Sequence, residues 1–177
     1  MATLQEIAEW YQERAGRHCG HSDWFEITQR DVNAFADLTR DRQEIHVDPD
    51  RAAAGPFGAP VAHGFLVLSL ITFLTDSLLD LDWSEVGLNH RLDRVRFRAP
   101  AVVGRRVRAG VTVVGARTRP RDYLELVLAV AIEAEDGGVV CTAEQTRLYR
   151  ARPDARLPRF PSPEADVPRV PGPEAHA

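Results

Sequence analysis

Four stretches that alternate in polarity, 86–98, 105–116, 123–135 and 139–149, follow one another in the second half of this 177-residue chain. A period of two sends successive side chains to opposite faces of a strand. Val107, Ala109, Val111 and Val113, and likewise Leu124, Leu126, Leu128 and Val130, therefore predict an antiparallel sheet with one buried face. Asp136-Gly137-Gly138 is a hairpin signal joining the last two strands. Such a face needs a cover. The longest apolar run, 64–79, is broken by Ser69, Thr72, Thr75, Asp76 and Ser77 and predicts a helix buried on all sides, around which the sheet would wrap. The expected class is α+β, in one domain over residues 1–152.

The first half supplies shorter elements. Leu4, Ile7, Ala8 and Tyr11 fall at helical spacing, and Gly16 stops that helix. Residues 22–27 read as a short strand. Thr28 then caps a helix reaching about Leu38, with Asp31 favouring its positive end. Residues 40–46 read as a polar loop, Asp48-Pro49 opens a short helix, and Gly55 to Pro60 form a turn-rich loop. Seven of the twelve prolines lie in 153–177, so that tail is expected to be extended or disordered.

Composition narrows the function. A formal charge of −4 without a basic stripe argues against nucleic acid as a partner. Lysine is absent, which removes Schiff-base chemistry and a lysine base. Cys19 and Cys141 are far apart, so two packed, reduced thiols in a cytoplasmic protein are expected. The first residues carry acid rather than base and lack a sustained apolar core, unlike a signal peptide, and the run from Phe65 to Leu74 is too short to cross a bilayer. A soluble protein without a membrane partner is the expectation. His18, Cys19 and His21 lie close together, but three donors lacking a fourth are weak evidence for zinc, and no metal or cofactor is expected.

Asp41 and His46 stand five residues apart, and Gly64 begins the apolar helix eighteen residues later. A carboxylate and an imidazole can divide the roles of base and acid around a water. Free amides at a helix start can hold a developing oxyanion. Together they suit proton transfer beside a carbonyl.

The stretch from Thr39 to Ala52, followed by Gly55-Pro56-Phe57-Gly58, Ala62-His63-Gly64-Phe65-Leu66 and the strand Leu92 to Pro100, resembles the MaoC-like hotdog hydratases over about residues 20–150. The resemblance implies a hotdog fold, a strongly curved antiparallel sheet around a central helix, and a homodimer. It implies (R)-specific hydration of 2-enoyl thioesters, or the reverse dehydration of 3-hydroxyacyl thioesters, carried on coenzyme A or an acyl-carrier protein, with no cofactor. Asp41 and His46 would be the catalytic pair and the Gly64 amide would polarise the thioester carbonyl. Gln43 would help fix the water, His63 would support the helix start, and Phe65, Arg40, Glu44 and Arg91 would belong to the substrate pocket.

Three departures stand out. Arg40 replaces a usual glycine, Glu44 an aromatic or proline, and His90-Arg91 a Tyr-Gly pair. Glycine alone takes positive φ freely, so arginine at position 40 implies a resculpted loop. An Arg40–Glu44 surface pair is the structural alternative. These changes leave room for a tailoring enzyme (dehydratase, lyase or cyclase) acting on a carrier-bound intermediate, or for a non-catalytic acyl binder. The arginines at 94, 96, 98, 105, 106 and 108 would mostly coat a solvated sheet face, with some free to meet coenzyme A or a phosphopantetheine arm.

Overall fold

Capping boxes fix where the first two main helices begin. In the computed structural model, which describes residues 1–159, Thr3 and Glu6 exchange bonds at the start of α1 (Leu4–Gln12), and Thr28 and Asp31 do the same for α2 (Gln29–Thr39). Between them lie two short strands, β1 (His18–His21) and β2 (Phe25–Glu26). After α2 come α3 (Glu44–Val47), α4 (Pro49–Ala53), α5 (Gly64–Ser69) and α6 (Ile71–Asp76). The Asp48 side chain accepts from the Arg51 amide and caps α4. The chain then runs through β3 (Ser84–Phe97), β4 (Arg106–Arg119), β5 (Tyr123–Ala134) and β6 (Val139–Ala151).

All pairings are antiparallel, in the order β1-β4-β5-β6-β3 with β2 also on β4. The expected alternation holds: Val107, Ala109, Val111, Val113, Leu124, Leu126 and Leu128 are buried in one cluster with Val67, Ile71 and Leu74 of the central helix. α1 adds Ile7, Ala8 and Tyr11 to the same core. At a transfer value of about 25 cal/mol per Å² of apolar surface, this cluster is the main source of stability.

Four expectations change. Residues 44–47, expected in a loop, form the short helix α3. The 64–79 helix is divided at Leu70, although Leu70 N–H donates to the Leu66 carbonyl at 3.2 Å and Leu74 N–H to that of Leu70 at 2.9 Å, so helical bonding continues across the junction. That helix is not buried all round. Phe65 is 69% and Phe73 60% exposed, because the sheet of one chain covers one side of the helix only. Finally, His18–His21, unassigned in the sequence, is an edge strand with a register irregularity between His18 and Gly20.

The beginning of the proline-rich tail packs. Ala155 and Pro158 are buried, the Ala155 carbonyl accepts from the Ala2 amide at 2.7 Å, and the Arg159 amide donates to Asp80 at 2.9 Å. The rest of the expected tail lies outside the described residues. Cys19 and Cys141 are free and buried, and burial raises their thiols to about 12 and about 11. Among the described residues no helix is long and apolar enough to cross a membrane.

Candidate active site

α2 ends in a left-handed residue that turns the chain toward the central helix. Arg40 closes the helix at φ 69°, its amide donating to the Ala36 carbonyl at 2.8 Å. Arginine thus adopts the backbone state expected of glycine, at a cost of about 1 kcal/mol. Asp41 follows at the rim, and α3 then brings His46 inward.

Main-chain carbonyls orient both imidazoles of the site. His46 is buried, with Nδ1 2.6 Å from the Val61 carbonyl. A carbonyl only accepts, so Nδ1 carries the proton and Nε2 is left with its lone pair. His63 is buried too; its Nε2 donates to the Asp41 carbonyl at 2.9 Å, and its Nδ1 has no partner among the described residues. The two rings stack with centroids 3.8 Å apart and planes 28° apart, and Phe35 borders His63 at 5.1 Å. One ligand-type atom from each of Asp41, His46 and His63 lies within 4.8 Å of the others. The carboxylate and imidazole singled out in the sequence therefore share one small volume. Such a trio has metal-ligand chemistry, but the in-plane lone pairs of nearly parallel rings run side by side instead of converging, a poor fit to tetrahedral ligation.

Gly64 begins α5 directly after His63. The first helical bond beyond it is from Val67 N–H to the His63 carbonyl at 3.1 Å, so the Gly64 amide has no intrahelical acceptor. A Cβ at Gly64 would stand 3.1 Å from the Phe97 ring, so any larger residue here would make that ring shift by a few tenths of an ångström. Here a groove of about 290 Å³ opens between the helix start and β3, lined by Phe57, Gly64, Val67, Phe97, Arg98 and Val140 among others. Phe57 and Phe97 had no role assigned from sequence, whereas Arg98 was among the strand arginines expected on a solvated face or against coenzyme A. Their signal is only that they flank the turn-rich loop and end the first long strand.

Other expected pocket residues lie elsewhere. Glu44 pairs with Arg51, not Arg40, and Arg42 pairs with Asp37 at 2.8 Å. Arg91 pairs with Asp93 at 2.6 Å; its register partner is Thr146, which strand alternation places on the opposite face from Gln145 and Arg147. Gln43 is exposed and precedes α3, its carbonyl accepting from the His46 amide at 2.9 Å. Phe65 projects beside Phe97, ring centroids 5.9 Å apart. Most strand arginines pair with glutamates, as Arg106 with Glu135 at 2.9 Å and Arg117 with Glu125 at 2.6 Å, whereas Arg98 has no ion pair among the described residues.

The three residues His18, Cys19 and His21 do not converge. Cys19 points into the core, while both imidazoles lie over Gly110 on the other side of the sheet, and Glu133 stands 3.6 Å from His21.

The model of the MaoC-like domain matches residues 11–133. This chain belongs to the MaoC-like family. It is 41% identical over 152 residues to the 3-hydroxyacyl-thioester dehydratase Z of Mycobacterium tuberculosis, covering 85% of this chain and 100% of that protein. It is 40% identical to Nodulation protein N of Rhizobium leguminosarum, over 70% of this chain and 78% of the other. Among solved structures, the (R)-hydratase of A. caviae involved in PHA biosynthesis superposes with a TM-score of 0.60 at 25% identity, covering 78% of this chain and 96% of that one. The fold of this MaoC-like protein is the hotdog.

Proposed function

We propose that Asp41, His46 and the Gly64 amide carry the reversible addition of water to a trans-2-enoyl thioester, giving the (R)-3-hydroxyacyl thioester. The protein is a hydro-lyase of the hydratase and dehydratase kind, as its MaoC-like domain and its dehydratase relatives have it. The observation that carries the residue assignment is the fixed tautomer of His46: Val61 holds Nδ1–H, which leaves Nε2 as the base, in a ring with one nitrogen within 4.8 Å of an Asp41 carboxylate oxygen. In the dehydration direction, Nε2 takes the α-proton and the electron pair moves onto the thioester oxygen, where the Gly64 N–H steadies the enolate. Collapse of the enolate forms the double bond and expels the 3-hydroxyl as water, its proton passed on from the His46 imidazolium through the Asp41 carboxylate, so that both groups end as they began. His63, stacked on His46 and bonded to the Asp41 main chain, holds both in register.

The test is hydration of crotonyl thioester followed by absorbance. Replacing His46 by Ala, or Asp41 by Asn, is expected to abolish the loss of the enoyl band, and activity surviving both changes would overturn the assignment.

The substrate is an acyl thioester of coenzyme A or of a carrier protein, with the unpaired Arg98 placed to meet the pantetheine arm where it leaves the groove. Glu44 and Arg91 are bound to neighbours away from the groove, so they do not favour the tailoring-enzyme alternative. The working unit is a homodimer. Its support is β3, a fourteen-residue edge strand on which Val86, Leu88, Leu92 and Phe97 are exposed among polar neighbours, a long edge for a monomer to leave unpaired. A mass of one chain in light scattering at micromolar concentration would remove this part of the reading.

A further inference from the structure

A thioester that reacts at its second and third carbons extends from the reacting centre in two directions, and two grooves reach the start of the central helix. One, of about 290 Å³ beside Gly64, Phe97 and Arg98, takes the pantetheine arm in the reading above. The other, of about 310 Å³, opens between α2 and α5, with Phe25, Ile27, Ala34, Phe35, Leu66 and Leu70 in its walls. At about 100° per residue, Leu66 and Leu70 stand about 120° and 160° around the helix from Thr72, which is bonded by Asn89 of β3. None of these walls belongs to β3, so this groove lies apart from the edge given to a second copy.

Phe35 joins the groove to the reacting groups. Its ring is 5.1 Å from that of His63, which stacks on His46 and is bonded to the Asp41 main chain. An acyl chain leaving its third carbon, the one whose hydroxyl Asp41 serves, passes the edge of His63 and Phe35 before reaching Leu66. Asp31 is the single charged residue in the walls, and its carboxylate is turned to the cap of α2, accepting from Thr28 N–H at 2.9 Å and from Thr28 Oγ1–H at 2.6 Å. The rest of the lining is apolar and suits methylenes. Leu38, 81% exposed, forms the outer lip, where a bound chain would cover it.

We propose that the α2–α5 groove holds the acyl tail and makes this protein select medium-chain 2-enoyl thioesters, of about eight carbons, over crotonyl thioester. This rests on the reading of Gly64 and the Asp41–His46 pair as the reacting centre. Four helical residues separate Leu66 from Leu70, about 6 Å. An extended chain with bonds of about 1.5 Å places about five carbons in that length. The carbonyl carbon at Gly64, the second at His46 and the third at Asp41 precede them, so the eighth ends beside Leu70. Ala34 and Leu38, one turn apart on α2, form the facing wall.

The test compares kcat/KM for trans-2-octenoyl-CoA with that for crotonyl-CoA in the full chain. A methylene taken wholly from water is worth roughly fourfold, so four of them in an open groove should favour octenoyl-CoA by about tenfold or more. Ala34→Trp lays an indole across the groove and should bring the ratio near one. Leu38→Asp, at the exposed lip, should reduce it about threefold or more. Circular dichroism checks each fold, and Leu38→Asp decides alone should Ala34→Trp not fold. A ratio near one in the unaltered protein, or one that survives in folded Ala34→Trp, would overturn the proposal. Survival is what a tail lying in the Phe97 groove gives, and survival with a fall in light-scattering mass assigns the α2–α5 groove to a second copy. Absent turnover of both thioesters by the unaltered protein counts against the site assignment instead. Calorimetric binding of octanoyl-CoA against butyryl-CoA, both saturated, then reads the groove by itself, with the same preference expected and the same loss in Ala34→Trp.

Discussion

The two ends of the central helix are held by different kinds of bond. At its start, main-chain carbonyls fix the imidazoles: Val61 holds His46 and Asp41 holds His63. At its end, side chains hold side chains, Thr72 through Asn89 to Gln145 and Thr75 to Arg147. Backbone acceptors survive any substitution at their own positions, so the two imidazoles keep these acceptors when the side chains at 41 and 61 change. The far end can be rewritten residue by residue.

The largest effect that would sharpen this contrast is at His46. His46→Ala should lower kcat for crotonyl hydration by about a thousandfold, within the range for loss of a positioned acid–base group, whereas Gln145→Leu at the far end should leave kcat nearly unchanged. Similar losses of kcat from both would erase the distinction. Next, Arg147→Met removes a buried cation with three side-chain partners. It should destabilise the fold by about 2 kcal/mol, less than a fully buried ion pair because Asp76 remains in contact with water. Denaturant unfolding measures this, and no change in the midpoint would make the network dispensable.

A smaller effect belongs to the outer sheet face. Burial and the neighbouring imidazole lower His18; burial and Arg108 lower His21, and Glu133 opposes both shifts. Arg108 itself bonds Glu133 at 3.3 Å, so these four groups respond together. A depressed imidazole stays neutral in the folded chain while the unfolded chain takes up protons, so stability present above the ordinary value of 6.5 is lost as pH falls below it. Melting temperature should drop between pH 7 and pH 5, and less so in a His18→Asn, His21→Asn double variant. Smallest is Arg40→Gly, which relieves a left-handed arginine and should stabilise by about 1 kcal/mol or slightly less, visible as a rise in melting temperature.

How far the sequence could be read follows the same division. The four long strands were legible because their inward residues alternate cleanly, as at Leu124, Leu126 and Leu128. β1 was not, since His-Cys-Gly-His has too few residues to display a period. α3 is a single turn and resembles a loop in composition. Hydropathy predicted a wholly buried helix because it records how apolar Phe65 and Phe73 are, not whether one chain can surround them. Asp41, His46 and Gly64 stood out as chemistry-bearing types at recognisable spacing. Gln145 and Arg147 did not, because polar residues on a strand suggest the solvated face until the register with Asn89 turns them inward.

Phe97 belongs at once to the exposed β3 edge and to the wall against Gly64. The seam at which a second copy would join is therefore one ring away from the Gly64 amide, to which the proposed mechanism gives the enolate oxygen. Dilution that separates the two copies would loosen that ring, and turnover per molecule would decline with concentration before any unfolding began.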